Sequence, residues 1–282
     1  MQIIHSVKDM QRYSDALRQQ NKRIAVVPTM GYLHDGHLSL VRIAKEHADA
    51  VIVTIFVNPT QFGPNEDFTT YPRDWDRDVL LVTSSGADCI YAPEPAEMYP
   101  EGYQTSVRVD KLTQHLCGIV RPTHFEGVTT VVTKLFNATK PHVAVFGEKD
   151  FQQLQVIRRM VRDLDVDIEI IGAPIVREHD GLAMSSRNKY LSAEERKAAL
   201  VLARSLFEIR EQCINGEHDA LKLSRHVWQN ISAEALAKID YIKVCDLETL
   251  ADVSRIRRDA VVALAVFFGK TRLIDNIILK TD

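Results

Sequence analysis

Cysteine is scarce in this chain and widely scattered. Cys89, Cys117, Cys213 and Cys245 form no C-x-x-C pair and no cluster with histidine at zinc-ligand spacing. Structural metal is therefore not expected, and reduced, buried thiols of a cytosolic protein are. Long apolar runs are also missing. The longest, Ala260 to Phe268, is strand-sized and stops at Gly269, short of the roughly 18 apolar residues of a membrane-spanning helix. The first twenty residues set Lys8, Asp9 and Arg12 among apolar positions at helical spacing, so the continuous apolar core of a secretory signal is absent. No long basic run occurs and the formal net charge is −3, which argues against a nucleic-acid partner but leaves room for a local anion site. Internal repeats, low-complexity tracts and a long flexible linker are lacking too. These absences predict a soluble, cytoplasmic protein bound to neither membrane nor nucleic acid.

What is present suits a substantial core. The 282 residues are 45% hydrophobic, enough for one large domain or two modest ones. Ile24 to Pro28 reads as a buried strand, Gly36 to Ala48 as a helix carrying Leu38, Leu40, Val41, Ala44 and Ala48 at helical spacing, and Ala50 to Val57 as a second buried strand closed by Asn58-Pro59. Strand, helix, strand implies a parallel pair with a right-handed crossover. The alternation continues with a helix over 74–85, a strand over 89–92, a helix over 127–138, a strand over 142–146, a helix over 149–164 and a strand over 166–171. Such β-α repetition predicts an α/β fold, a doubly wound, Rossmann-like parallel sheet whose ligands sit at the carboxyl ends of its strands. The loops after Val27, Val57 and Phe146 then matter most. Beyond about Pro174 the pattern changes. A capping box at Ser192 to Glu195 opens a helix to about Cys213, a second helix covers 220–237, and strands follow over 240–244, 260–268 and 273–279. This predicts a smaller α+β C-terminal domain, with domains over 1–176 and 177–282.

The strongest chemical signal is Pro28-Thr29-Met30-Gly31-Tyr32-Leu33-His34-Asp35-Gly36-His37, between the first of these strands and its helix. His34 and His37 are three apart and project from one side of the first helical turn. That turn also directs unpaired N–H groups and the positive dipole end outward, toward phosphate. Two imidazoles there can stabilise charge on a phosphoryl group or hand a proton to leaving pyrophosphate, and Gly36 lets phosphate approach the backbone closely.

His34-Asp35-Gly36-His37 resembles the H-I-G-H signature of the nucleotidylyltransferase superfamily, which includes class I aminoacyl-tRNA synthetases. Met184-Ser185-Ser186-Arg187 resembles the superfamily's second signature, with arginine in place of lysine. Within that superfamily the chain is similar to the pantoate–β-alanine ligase family, through Pro28 to Gly31, Phe56 to Phe62, Arg121 to Val128, Phe146 to Gln153 and Met184 to Asn188. The resemblance implies ATP as a substrate, with Mg2+ accompanying it, and pantoate and β-alanine as the other two. It implies His37, His34 and Lys149 as catalytic groups, and ATP contacts from Met30, Gly31, His34, Gly36, His37, Gly147, Lys149, Asp150, Phe151, Gln152, Val176, Met184, Ser185, Ser186 and Arg187. Gln61, Gln155, Asn58 and Arg121 are the expected pantoate and β-alanine contacts, with His124 beside Arg121. A homodimer is also implied.

The amide of Gln61 suits a small hydroxy acid because it both donates and accepts. The acidic stretch of Glu66, Asp67, Asp74, Asp76 and Asp78, with Asn65, is read as a solvated surface at least as readily as a magnesium site, so no metal ligand is nominated. The reaction implied is ligation through a pantoyl-adenylate, releasing pyrophosphate and then AMP, with the C-terminal domain as a closing lid. Three rivals stand beside it: a simple nucleotidylyltransferase; a tRNA synthetase fragment, which an acidic chain without basic patches disfavours; and a non-catalytic nucleotide sensor, which intact His34, His37, Lys149 and Arg187 disfavour. The fate of AMP separates the first, which would leave it on the product.

Overall fold

The computed structural model describes residues 1–64 and 66–281. Residues up to Pro174 form most of one compact unit, and those from Ile175 onward most of a second; Gln114–Leu116 and Lys149–Gln152 belong to the second.

The first unit is built on six parallel strands: β1 (Gln2–Ile4), β2 (Ile24–Thr29), β3 (Ala50–Ile55), β4 (Cys89–Tyr91), β5 (Val143–Gly147) and β6 (Glu169–Ala173). Their order is β1-β4-β3-β2-β5-β6, and every pairing is parallel. Helices α1 (Val7–Gln19), α2 (Asp35–His47), α3 (Trp75–Ser85), α4 (Pro95–Met98), α5 (Cys117–Val120), α6 (His124–Thr139) and α7 (Phe151–Asp163) join them. Alternation along β2 explains the layering. Ile24 and Val26 join Met10 of α1, Val128 and Leu135 of α6 and Ile157 of α7 in one core. Ala25 and Val27 point the other way, into a core with Leu40, Val41 and Ala44 of α2 and Val82 of α3. A sheet buried on both faces needs the near-continuous apolar strands seen here.

The strand order reverses between β2 and β5. From β2 the chain winds outward through β3 and β4, and from β5 the other way to β6. The loops that leave β2 and β5 at their carboxyl ends part at this reversal, which is where open α/β sheets hold their ligands.

The second unit packs α8 (Ala193–Ala198), α9 (Leu200–Ile214) and α10 (Ala220–Ser232) on an antiparallel sheet of β7 (Ala237–Asp246), β8 (Ala260–Phe268) and β9 (Thr271–Leu279), ordered β7-β8-β9. Leu202, Leu206 and Ile209 of α9 meet Leu223 and Val227 of α10, and Val262, Leu264 and Val266 of β8.

Several boundaries differ from the sequence reading. Three-residue β1 went unread because an edge strand of that length carries no periodicity. The strand expected from Val166 begins at Glu169: Val166 N–H instead caps the end of α7 on Val161 O at 3.0 Å, after Asp165 turns left-handed (φ +51°). The single helix expected after Ser192 is two, meeting at Ala199, whose N–H is shared between Glu195 O and Lys197 O. The helix expected to Ala237 ends at Ser232, because Ala237 already pairs with Phe268. The expected buried state holds for Cys89, Cys213 and Cys245, but Cys117 is half-buried on the four-residue α5.

Candidate functional site

Beyond β2, the chain turns sharply to reach α2. Gly31 is left-handed (φ +79°), and a Cβ there would stand 2.9 Å from Asp78 Oδ2, so glycine is required on both counts. Tyr32 is left-handed as well (φ +51°), a strained setting for a bulky residue. The strain is held by α3. Asp78, 2% exposed, accepts the Tyr32 and Leu33 N–H groups at 2.7 Å each, one on each carboxylate oxygen. Arg77 donates to Leu33 O at 3.0 Å and covers the Tyr32 ring at 5.5 Å. Burial raises the Asp78 carboxyl above its usual range, against the pull of those two N–H groups. Asp78 is thus neither a solvated surface charge nor an open metal ligand. It clamps the loop.

The clamped loop delivers the two histidines. His34 is the N-cap of α2 in extended conformation (φ −141°, ψ 174°), and its carbonyl accepts from His37 N–H at 2.8 Å. In return His34 N–H donates to His37 Nδ1 at 3.3 Å. With Nδ1 an acceptor, a neutral His37 carries its proton on Nε2. The two rings lie against each other, centroids 4.1 Å apart. Both are half-buried, as are Met30 and Gly36, while Asp35 is exposed. The arrangement offers imidazole N–H and helix N-terminal N–H groups to one anion.

A second turn follows β3. Asn58, 1% exposed, opens the 3-10 turn Pro59–Gln61 and is saturated by protein: Oδ1 accepts from Tyr99 OH at 2.7 Å and Thr60 Oγ1 at 3.0 Å, while Nδ2 donates to Gly127 O at 3.0 Å and Gln61 Oε1 at 3.2 Å. Gln61 Nε2 in turn contacts Met30 Sδ at 3.1 Å, which links this turn to the histidine loop. Gly127 is forced, since a Cβ would meet Thr60 O at 2.5 Å. The Asn58 amide is therefore committed to protein partners, with Gln61 among them.

Arg121 grips Glu66 with two bonds of 2.5 Å, and also donates to Gln61 O at 3.3 Å, where His124 Nδ1 lies at 2.8 Å. Burial alone would raise the Glu66 carboxyl, but the Arg121 bonds outweigh it and hold it below its usual range. Arg121 thus braces the Gln61 backbone, its charge already matched. Of the other acidic residues, Asp74 caps α3 by accepting from Arg77 N–H at 3.4 Å. Asn65, read with them, lies outside the described residues. Among the described residues no three His, Cys, Asp or Glu side chains are grouped to hold a metal ion.

Past β5 the half-buried Gly147 leads into the 3-10 turn Glu148–Asp150 and then α7. Gln155 is half-buried on α7. In the second unit Lys149 is half-buried and Asp150 exposed, Phe151 is buried, and Gln152, 6% exposed, donates to His115 O at 2.7 Å. Val176 O accepts from Met184 N–H at 3.0 Å, closing a hairpin-like loop. Ser185 caps the 3-10 turn Ser186–Tyr190 by accepting from Arg187 N–H; Ser186 is buried and Arg187 half-buried. Glu178 fixes the loop by receiving Asn188 at 2.6 Å and Arg196 at 2.7 Å. The Tyr32–Asp78 clamp, the Asn58 network and this Glu178 anchor all escaped the sequence reading. Their only signal was an uncommitted polar residue inside or beside an apolar segment.

A doubly wound sheet that presents paired histidines on a helix N-terminus at its switch point is the architecture of a nucleotidylyltransferase-type α/β protein. A profile of the pantoate–β-alanine ligase family matches residues 2–278. The chain belongs to that family and is a ligase. It is 56% identical over 282 residues, all of both chains, to the pantothenate synthetase of Geobacter sulfurreducens. It is 54% identical over 276 residues to that of Syntrophus aciditrophicus, covering 98% of this chain and 96% of the relative. The crystal structure of pantothenate synthetase from Thermus thermophilus matches with a TM-score of 0.95 at 45% identity over all of both chains. A Francisella tularensis pantoate–β-alanine ligase, crystallised with beta-gamma ATP and β-alanine, matches with a TM-score of 0.79 at 34% identity, over 100% of this chain and 99% of that one. No helix among the described residues is long and apolar enough to cross a membrane.

Proposed function

We propose that this chain condenses pantoate with β-alanine by first activating the pantoate carboxylate as an acyl-adenylate. The observation that carries the reading is the pair of adjacent imidazoles, tilted 36° to each other, at the N-terminus of α2, directly after a central strand at the switch point. A pantoate carboxylate oxygen attacks the α-phosphorus of ATP, the bond from that phosphorus to the bridging oxygen breaks, and pyrophosphate leaves. His37 Nε2–H faces the departing oxygen as proton donor. His34, Lys149, Ser186 and Arg187 stabilise the charge that builds on the phosphates. Gln61 holds pantoate, donating and accepting through its amide, with Gln155 as a second contact. The amine of β-alanine then attacks the acyl carbon, AMP leaves, and no covalent enzyme intermediate forms. Met30, Gly31, Gly147, Asp150, Phe151, Gln152, Val176, Met184 and Ser185 complete the ATP contacts in this reading.

Among the described residues of the acidic stretch after Phe62, Asp78 and Glu66 are committed to backbone N–H groups and to Arg121, and no three acidic, His or Cys side chains are grouped to hold a metal ion. Magnesium would then arrive with ATP and supply charge neutralisation for the departing pyrophosphate. The homodimer and the cytoplasmic location belong to the same reading.

Following the ATP-derived products by phosphorus NMR with pantoate and β-alanine present tests it. AMP and pyrophosphate in equal amounts are expected. ADP and phosphate would refute it, and an adenylylated product retaining AMP would assign the chain to simple nucleotidyl transfer.

A further inference from the structure

Strand β9 carries an anomaly. Its burial alternates up to Ile274 and then breaks, with two adjacent polar residues, Asp275 and Asn276, both buried at 2% and 4% exposure. Neighbouring strand residues point to opposite faces, and these two hold different segments. Asp275 lies on the face of Leu273 and Leu279, which belong to the core beneath α9. It takes both arms of Arg177, at 2.7 and 2.9 Å, in a pair whose carboxylate side chain is 1% exposed. Arg177 also donates to Gly181 O at 3.1 Å and stacks on Phe207 at 5.0 Å. It thereby pins the loop that closes with Met184 N–H on Val176 O and continues into Met184–Arg187. The 3-10 turn Ser186–Tyr190 packs against β9 as well. On the opposite face, Asn276 Nδ2 donates to Lys149 O at 2.9 Å. Asp275 Oδ1 in addition accepts the backbone N–H of Asn276 at 2.8 Å, so the carboxylate also ties down its neighbour's backbone and the two residues form one corner.

We propose that Asp275 and Asn276 are positioning residues for ATP: Asn276 sets the place of Lys149, and Asp275, through Arg177, sets the loop bearing Met184–Arg187. The inference rests on the reading that those segments hold ATP, and deepens it. Two phosphate-gripping segments distant in sequence need a common reference, and one strand supplies it. A bidentate arginine–carboxylate pair fixes orientation as well as distance, and a displacement near 1 Å costs on the order of a hundredfold in rate.

The test uses the full-length enzyme, with ATP binding by calorimetry and kcat and KM measured for each substrate. Asn276→Ala is expected to lower kcat at least about tenfold while the KM for β-alanine stays put. In a Lys149→Ala background the same change is expected to alter the rate less than about twofold, since its target is already gone. Arg177→Lys, which keeps the charge facing Asp275 but loses the fork, is expected to weaken ATP binding about tenfold or more. Wild-type kinetics in folded Asn276→Ala, or an undiminished further loss in the Lys149→Ala background, overturns the Asn276 half. Unchanged ATP affinity in Arg177→Lys overturns the Asp275 half. Failure of the adenylate reading would register separately, as wrong ATP products from the wild type, while the calorimetric arm still reads the brace.

Discussion

Replacing His37 separates its two jobs, because each ring nitrogen has its own. Nδ1 accepts the His34 N–H at 3.3 Å and so helps close the start of α2, while Nε2 is the group directed to pyrophosphate in the proposed reaction. His37→Ala removes both. Loss of an N-terminal capping contact of this kind costs about 0.5–2 kcal/mol of stability, which a fold of this size tolerates. Removing one donor that meets charge developing in the transition state costs about 100- to 1,000-fold in rate, about 2.7–4 kcal/mol. His37→Asn is the sharper variant: its side-chain oxygen stands near the Nδ1 position and keeps the cap, but nothing replaces Nε2–H. His37→Asn is therefore expected to melt within about 1 kcal/mol of the wild type while losing about 100-fold or more of its adenylation rate. His37→Gln, with an amide N–H near the Nε2 position, is expected to retain more activity than either. Rapid-quench measurement of pyrophosphate formed from ATP and pantoate reads the rate, and calorimetric melting reads the fold. Adenylation within about threefold of wild type in folded His37→Asn would remove the residue from the chemistry and leave it a cap.

Three further expectations follow from the neighbouring geometry. Gln61→Ala should raise the KM for pantoate by about tenfold or more, since a buried substrate hydroxyl or carboxylate left unpaired costs about 1–3 kcal/mol; calorimetry showing lost ATP binding with intact pantoate binding would reverse the assignment. Gly127→Ala drives a Cβ to 2.5 Å from Thr60 O, with no flexible side chain to yield, so it should destabilise by about 1–3 kcal/mol and impair pantoate handling with it; a neutral effect in a melting experiment would show that the Pro59–Gln61 turn is not held by this contact. The Glu66 carboxyl sits below its usual range, so the stability it lends through Arg121 is present above a pH of about 4 and is lost as the pH falls through the lower folded value. Glu66→Gln should lack that acid-side loss, on the order of 1 kcal/mol for a partly exposed pair, and acid titrations of the two proteins that superimpose would contradict it.

The parallel sheet was legible because β2, β3 and β5 are buried on both faces and so are written as unbroken apolar runs, each followed by a loop of unusual composition. The histidine loop was legible for the same reason: two imidazoles and a glycine directly after such a run suit an anion site far better than an ordinary surface turn. What holds the loop was not. Asp78 looks like any acidic residue in a helix's first turn, and only its tertiary place, two N–H groups away across a left-handed Tyr32, gives it a role. Asn58 read as a ligand contact and proved to be saturated by Tyr99, Thr60, Gly127 and Gln61, partners up to 69 residues away. In the second unit the apolar strands are legible, but the place of Asp275 and Asn276 is not. Consecutive polar residues in an otherwise buried strand are the signal for such a corner, but a strand read only for its apolar content conceals it.

Pyrophosphate–ATP exchange tests the stepwise adenylate most directly. With ATP, pantoate and labelled pyrophosphate present and β-alanine withheld, the enzyme should return label to ATP, after releasing roughly one equivalent of pyrophosphate per active site when assayed without the label. Exchange should vanish when pantoate is omitted and fall with His37→Asn as the forward rate does. No exchange and no burst, from enzyme that turns over normally once β-alanine is supplied, would contradict a free-standing pantoyl-adenylate and leave a concerted or amine-first route.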